Sequence, residues 1–188
     1  MTLNAQTRLR YITGRGGSAS EGLSRYLSTQ VTDFAALPVD AILLKLSIDE
    51  QITLVNEFCS SATHLAVNSY GAYLWLLSRI DATPTTTKVL MLSPVMGRAV
   101  YKEKMMASRP PRMKGFESAI AERRVNLPDN VSVYTGKEDP VCDFKTAVTQ
   151  CEQLGITDLH ILEDETHNLS HGVVAVLVDN FLSETQSK

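Results

Sequence analysis

The chain has 188 residues, 44% of them apolar and 21% charged, which supports one domain with a sizeable core and leaves a second full domain without support. Its net charge of -3 gives no general reason to expect nucleic acid as a partner. The opening MTLNAQTRLR is followed by no long apolar stretch, so neither a signal peptide nor a membrane span is expected, and a cytoplasmic location follows as the expectation.

In chain order, Arg8 to Thr13 reads as a short strand running into Gly14-Arg15-Gly16-Gly17-Ser18. The Leu23, Tyr26 and Leu27 spacing then predicts a helix over Glu21 to Thr29. Val31 to Leu37 predicts a second strand, ended by Pro38. Ser47 opens a helix through Ile52, Leu54, Val55 and Phe58, and Glu50, three places on, completes a capping box. Leu65 to Val67 is an apolar run of strand type that meets a Ser69-Tyr70-Gly71 corner and leaves it as a helix carrying Ala72, Leu74, Trp75 and Leu77. Lys88 to Ser93 is short and apolar, as a strand covered on both faces should be, and Pro94 ends it.

Residues 97 to 129 are expected to form an insertion of one or two short helices rather than a new domain. Between Arg98 and Arg124 eight basic side chains face three acidic ones, a local +5 that leaves -8 for the remainder. Such a run is either a solvated face or an attractor for an anionic substrate or partner. Met96, Met105, Met106 and Met113 either border an apolar pocket or belong to the core. Val131 to Thr135 is another strand, followed by the Gly136-Lys137-Glu138-Asp139-Pro140 turn and a helix over Phe144 to Leu154. Asp158 to Leu162 is the last strand, and after His167 a final helix carries Val173, Val174, Val176, Leu177 and Phe181. Cys59, Cys142 and Cys151 are odd in number and lack a C-x-x-C spacing, so reduced, packed thiols are expected rather than a disulfide framework.

Strands alternating with helices predict a three-layer αβα sandwich around a mostly parallel sheet. In such sheets the working residues sit on loops beyond the carboxyl ends of the strands. The Gly14 loop, Ser69, Asp139 and His167 each follow a predicted strand, so all four should share one edge. A serine hydroxyl is a poor nucleophile near neutral pH and needs a base beside it and an acid to orient that base. Ser69, Asp139 and His167 supply the set in that chain order.

The order, with the serine on a strand-to-helix corner, resembles the α/β-hydrolase superfamily, and in particular its small, nearly lidless serine hydrolases. VNSYGA resembles the nucleophile elbow, with Gly71 as the small residue behind Ser69; ITGRGG resembles the glycine loop after an early strand. YTGKEDPV resembles the turn that carries the acid, and LEDETHNLSHG the histidine loop. The resemblance implies Ser69 as nucleophile, His167 as base and Asp139 as its orienting acid. It also implies an oxyanion hole built from the Tyr70 N–H and that of Arg15 or Gly16. It departs at Val67, where the elbow pattern has its first glycine; a valine there must be accommodated by altered packing or distort the turn.

The implied activity is hydrolysis of small carboxylic esters or thioesters through an acyl-enzyme, with no cofactor and no metal. The alternative is an inactive binding or scaffold protein on the same fold. Considered alone, Ser69 reads first as a helix N-cap, and the Gly71 spacing and the histidine loop reverse that preference. Asp139 before Pro140 is equally a turn former. Asp143 is a spare carboxylate expected within or capping the next helix, and His171 is the rival base. His167 and His171 form a His-x-x-x-His pair, which on a helix could share a zinc ion; the pattern lacks the His-Glu-x-x-His glutamate, and His167 is expected on the loop. His64 and His160 lie at or in strands and are expected to be structural.

Overall fold

The computed structural model describes residues 7–97 and 110–183. Six strands form one sheet: β1 (Arg8–Arg15), β2 (Asp33–Val39), β3 (His64–Asn68), β4 (Lys88–Leu92), β5 (Val131–Gly136) and β6 (Asp158–Leu162). Every pairing is parallel and the order is β2-β1-β3-β4-β5-β6. The helices are α1 (Leu23–Gln30), α2 (Ile48–Cys59), α3 (Tyr70–Ser78), α4 (Met113–Ala121), α5 (Phe144–Leu154) and α6 (His171–Ser183), with a 3-10 turn at Leu43–Lys45 that the sequence pattern did not announce.

The helices divide between the two faces of the sheet, and strand alternation divides the core with them. Val89 and Met91 of β4 pack with α2, α3, α4 and α5, through Val55, Trp75, Phe116 and Ala147. Leu90 and Leu92 turn the other way, onto α1 and α6 through Leu27, Val178 and Phe181. Both faces of β4 are therefore apolar, which explains its uninterrupted KVLML. Helix α3 is apolar on all sides because all nine of its residues are buried.

Pro38 does not end β2, which runs on to Val39. β2 is an edge strand, where a residue without an N–H removes no ladder bond on the open side. The strand and helix before it each start two residues later than expected, at Asp33 and Leu23. The Ser47 capping box forms, with Glu50 N–H donating to Ser47 Oγ at 3.3 Å and Ser47 N–H to Glu50 Oε2 at 2.7 Å.

Of the basic stretch, Arg98, Lys102, Lys104 and Arg109 lie outside the described residues, as do Met105 and Met106. Arg112 pairs with Asp49, and Arg124 with Asp81 and Glu122. Met96 and Met113 are core residues. Cys59, Cys142 and Cys151 are free thiols, each pushed up to about 12 by burial. Among the described residues no helix is long and apolar enough to cross a membrane.

The chain leaves β1 toward β2 on one side and then places β3 on the other. The sheet order therefore reverses between β1 and β3, and a crevice opens beyond their carboxyl ends. β1 runs two residues past its expected end, through Gly14 and Arg15, before the rest of the glycine loop follows it, and Ser69 follows β3.

Candidate active site

Ser69 links β3 to α3 with φ 50° and ψ -118°, a conformation that side-chain-bearing residues rarely adopt. Its N–H donates to the Leu92 carbonyl at 3.1 Å and its own carbonyl accepts from Val95 N–H at 3.1 Å, so the loop after β4 grips both ends of the residue. Although Ser69 precedes the helix, its side chain makes no cap hydrogen bond. Ser69 Oγ instead lies 2.8 Å from His167 Nε2.

The tight turn brings α3 down onto β1. A Cβ on Gly71 would lie 2.3 Å from the Thr13 carbonyl oxygen, closer than atoms can approach, so only glycine fits without displacing backbone. A Cβ on Gly14 would meet Ser69 Cβ at 3.2 Å. Val67, at the position where the elbow pattern has glycine, is fully buried and pairs with Ile12 and Met91. Its side chain joins the larger core cluster, and the corner forms with it in place.

His167 lies on the loop between β6 and α6, and His171 is the first residue of the helix. Nδ1 of His167 is 2.8 Å from Asp139 Oδ2. The Asp139 side chain is fully buried, and its second oxygen accepts the N–H groups of Val141 at 2.7 Å and Cys142 at 2.9 Å. Three partners thus hold the carboxylate. Asp143 is committed elsewhere: it caps α5 by accepting the Lys145 N–H at 3.1 Å.

The acid turn and the histidine loop are stitched together by backbone. Lys137 N–H donates to Leu162 O at 2.9 Å and Glu138 N–H to Glu165 O at 3.1 Å. The approach is so close that a Cβ on Gly136 would sit 2.2 Å from Glu165 O. Glu165 also braces the other end of the loop, accepting Ser170 N–H at 2.7 Å and Ser170 Oγ–H at 2.6 Å. Neither Glu165 nor Asn68 stood out in the sequence. Asn68, next to Ser69, lies beside the buried Tyr11, whose hydroxyl burial pushes up to about 12. No local spacing announces either contact.

On the glycine loop, the Gly16 N–H donates to the Val39 carbonyl at 2.8 Å. It is thereby committed to the β1–β2 edge. The Arg15 guanidinium lies over the Tyr70 ring, 5.1 Å from its centroid. Ser69, Tyr70, His167 and the Thr13–Ser18 loop line a cleft of about 830 Å3 together with Val95, Pro110 and Pro111.

His64 is buried, with Nδ1 3.0 Å from Thr63 Oγ1 and its ring edge-on to Phe181. His160 stacks on Tyr134 and pairs with Asp158. Among the described residues no three or more His, Cys, Asp or Glu side chains group as a metal would require.

Comparison of the sequence with protein-family models and with curated proteins finds no match. Comparison of the fold does. Thermogutta terrifontis esterase 2, in a form phosphoramylated by tabun, is 14% identical, with a TM-score of 0.66 over 98% of this chain and 85% of that one. A monoacylglycerol lipase from Paleococcus ferrophilus is 13% identical, with a TM-score of 0.65 over 94% and 96%. A Xanthomonas campestris structure assigned to the α/β hydrolase superfamily is 14% identical, with a TM-score of 0.64 over 97% and 99%. With a six-stranded parallel sheet between two helical layers and these neighbours over nearly its whole length, the chain has the α/β-hydrolase fold.

Proposed function

We propose that this chain is a serine hydrolase of carboxylic esters or thioesters, with residues 1–188 acting as one domain and the stretch around 97–129 as an insertion. The observation that carries the reading is the continuous line of hydrogen bonds from Ser69 Oγ through His167 to Asp139, with both links at 2.8 Å. Ser69 Oγ attacks the acyl carbon as its proton passes to His167 Nε2. Asp139 holds His167 with Nδ1 protonated and stabilises the imidazolium that forms.

The oxyanion is held by the N–H groups of Tyr70 and Arg15. Tyr70 is the first residue of α3, so its N–H has no intrahelical acceptor. At the end of β1 the Gly16 amide donates to Val39 on β2, which leaves Arg15 as the glycine-loop residue to supply the second donor. Loss of one such donor costs on the order of 2.7 to 4 kcal/mol of transition-state stabilisation. Water, activated by His167, then releases the acid from Ser69.

The rival reading, an inactive scaffold on the same fold, requires no contact between Ser69 and His167, and their hydrogen bond favours the enzyme. So does the strained, uncapped serine. Labelling with a fluorophosphonate, read by mass spectrometry beside Ser69→Ala, tests the choice. The expected result is a single adduct on Ser69; no adduct from folded protein, beside a reactive control enzyme, refutes the reading.

A further inference from the structure

Two cavities meet at His167. The cleft of about 830 Å3 contains Ser69, Arg15 and Tyr70. A second cavity, of about 500 Å3, opens on the other side of Asn68 and His167, between the N-terminal ends of α1 and α6. Gly22, Leu23, Asn68, His167 and Asn168 border both, so the two are lobes of one site. The second lobe is walled mainly by Leu23, Tyr26, Leu92, Leu169, Val174 and Ala175, and neither Ser69 nor Arg15 nor Tyr70 borders it. Its size falls within the roughly 300 to 1,000 Å3 usual for small-ligand sites.

Acyl transfer assigns the two halves of a substrate to different lobes. The acyl carbon must reach Ser69 Oγ and its oxygen the backbone donors beside it, so the acyl half stays in the first lobe. The departing oxygen must take its proton from His167 Nε2, so the group it carries passes His167. We propose that the alcove between α1 and α6 is the leaving-group pocket and that the substrate is an ester of a bulky, apolar alcohol. This rests on the serine-hydrolase reading above.

In the step concerned, the Ser69 O–C bond forms and the C–O bond to the alcohol breaks. The proton taken from Ser69 leaves on the alcohol oxygen, and water later replaces Ser69 on the acyl carbon to give the acid. Ser93 borders the lobe with φ 43°, its hydroxyl buried without a hydrogen-bond partner among the described residues, and the other polar residues of the wall are Tyr26, Asn68, His167, Asn168 and His171.

The test uses the full chain and acetates of alcohols of similar acidity, from methyl to hexyl and cyclohexylmethyl, followed by acid release. We expect kcat/KM to rise by about tenfold or more from methyl to hexyl acetate, as methylenes enter an apolar pocket. Ala175→Phe and, independently, Val174→Phe fill the alcove from α6. In either variant the hexyl-to-methyl ratio should collapse toward one. A flat alcohol series in the wild type overturns the proposal. So does a ratio that survives both substitutions. Fluorophosphonate labelling of wild-type Ser69 separates the two failures: labelling with a flat series removes only the leaving-group pocket, whereas no labelling removes the hydrolase reading beneath it.

Discussion

At Ser69 the backbone is held at φ 50° and ψ -118°, where a side-chain-bearing residue costs roughly 1 to 3 kcal/mol. Its neighbours offset that cost: the Leu92 carbonyl and the Val95 N–H fix its peptide groups, and the hydroxyl is free of the cap and turned to His167. Asp139 shows the same over-determination, with three acceptor contacts on a fully buried carboxylate. An Asp139→Asn variant keeps the Oδ1 contacts and the shape, yet leaves His167 in the wrong tautomer. Its kcat for p-nitrophenyl acetate should fall by about 10^4 with little change in thermal midpoint. Unchanged kinetics would remove Asp139 from the proposed set.

His64 provides a residue-scale prediction away from the site. Burial, and then the charge of Lys88, lower its imidazole from the ordinary 6.5 to about 4. The folded state therefore holds it neutral while the unfolded chain takes up a proton below about pH 6.5. Stability from this group is full above pH 6.5, falls as the pH drops toward 4, and levels off below that. The loss is on the order of 3 kcal/mol at most. Urea unfolding at pH 7 and pH 4.5 should show a smaller acid loss in His64→Gln than in the wild type; equal losses would place the acid sensitivity elsewhere.

At the scale of elements, the contact between α3 and β1 decides whether the corner forms. Gly71 allows the helix start to lie against Thr13, and a Cβ there would meet backbone oxygen at 2.3 Å rather than a side chain able to move. Gly71→Ala should destabilise the fold by about 1 to 3 kcal/mol, the range for overpacking. Because the shift falls on the turn that carries Ser69, activity per folded molecule should fall as well. Chemical denaturation and active-site titration on the same samples measure the two effects, and a variant as stable and active as the wild type would show that the corner yields. Gly136 plays the corresponding part where β5 meets the histidine loop, so two glycines with φ in the ordinary range are required by close approach rather than by turn geometry.

Across the whole molecule, α4 belongs to the main core although it comes from the stretch between β4 and β5. Phe116 is fully buried, edge-on to Tyr73 at 5.7 Å, and Tyr73 in turn donates its hydroxyl to the Pro111 carbonyl at 2.6 Å. Phe116→Ala should lower global stability by about 3 to 5 kcal/mol. The unfolding should remain a single transition, with Trp75 fluorescence and far-UV circular dichroism coincident. A separate early transition would mean that α4 unfolds independently of the sheet.

Much of this was legible in the chain itself. Hydrophobic period marked the strands and helices, and α5, β6 and the Ser47 capping box were readable to the residue because each is a local pattern closed by its own cap or turn. The order Ser69, Asp139, His167 was readable too, since each follows an apolar run of strand type. Tertiary structure alone decided what depends on distant backbone meeting at one edge. It brought Ser69 to His167 across 98 residues, committed Gly16 to Val39, left Pro38 harmless on an edge strand and opened the second lobe between α1 and α6. Local pattern records the bonds a segment makes with itself; which carbonyl a loop amide reaches, and what space two remote helices leave between them, is set only when the sheet has assembled.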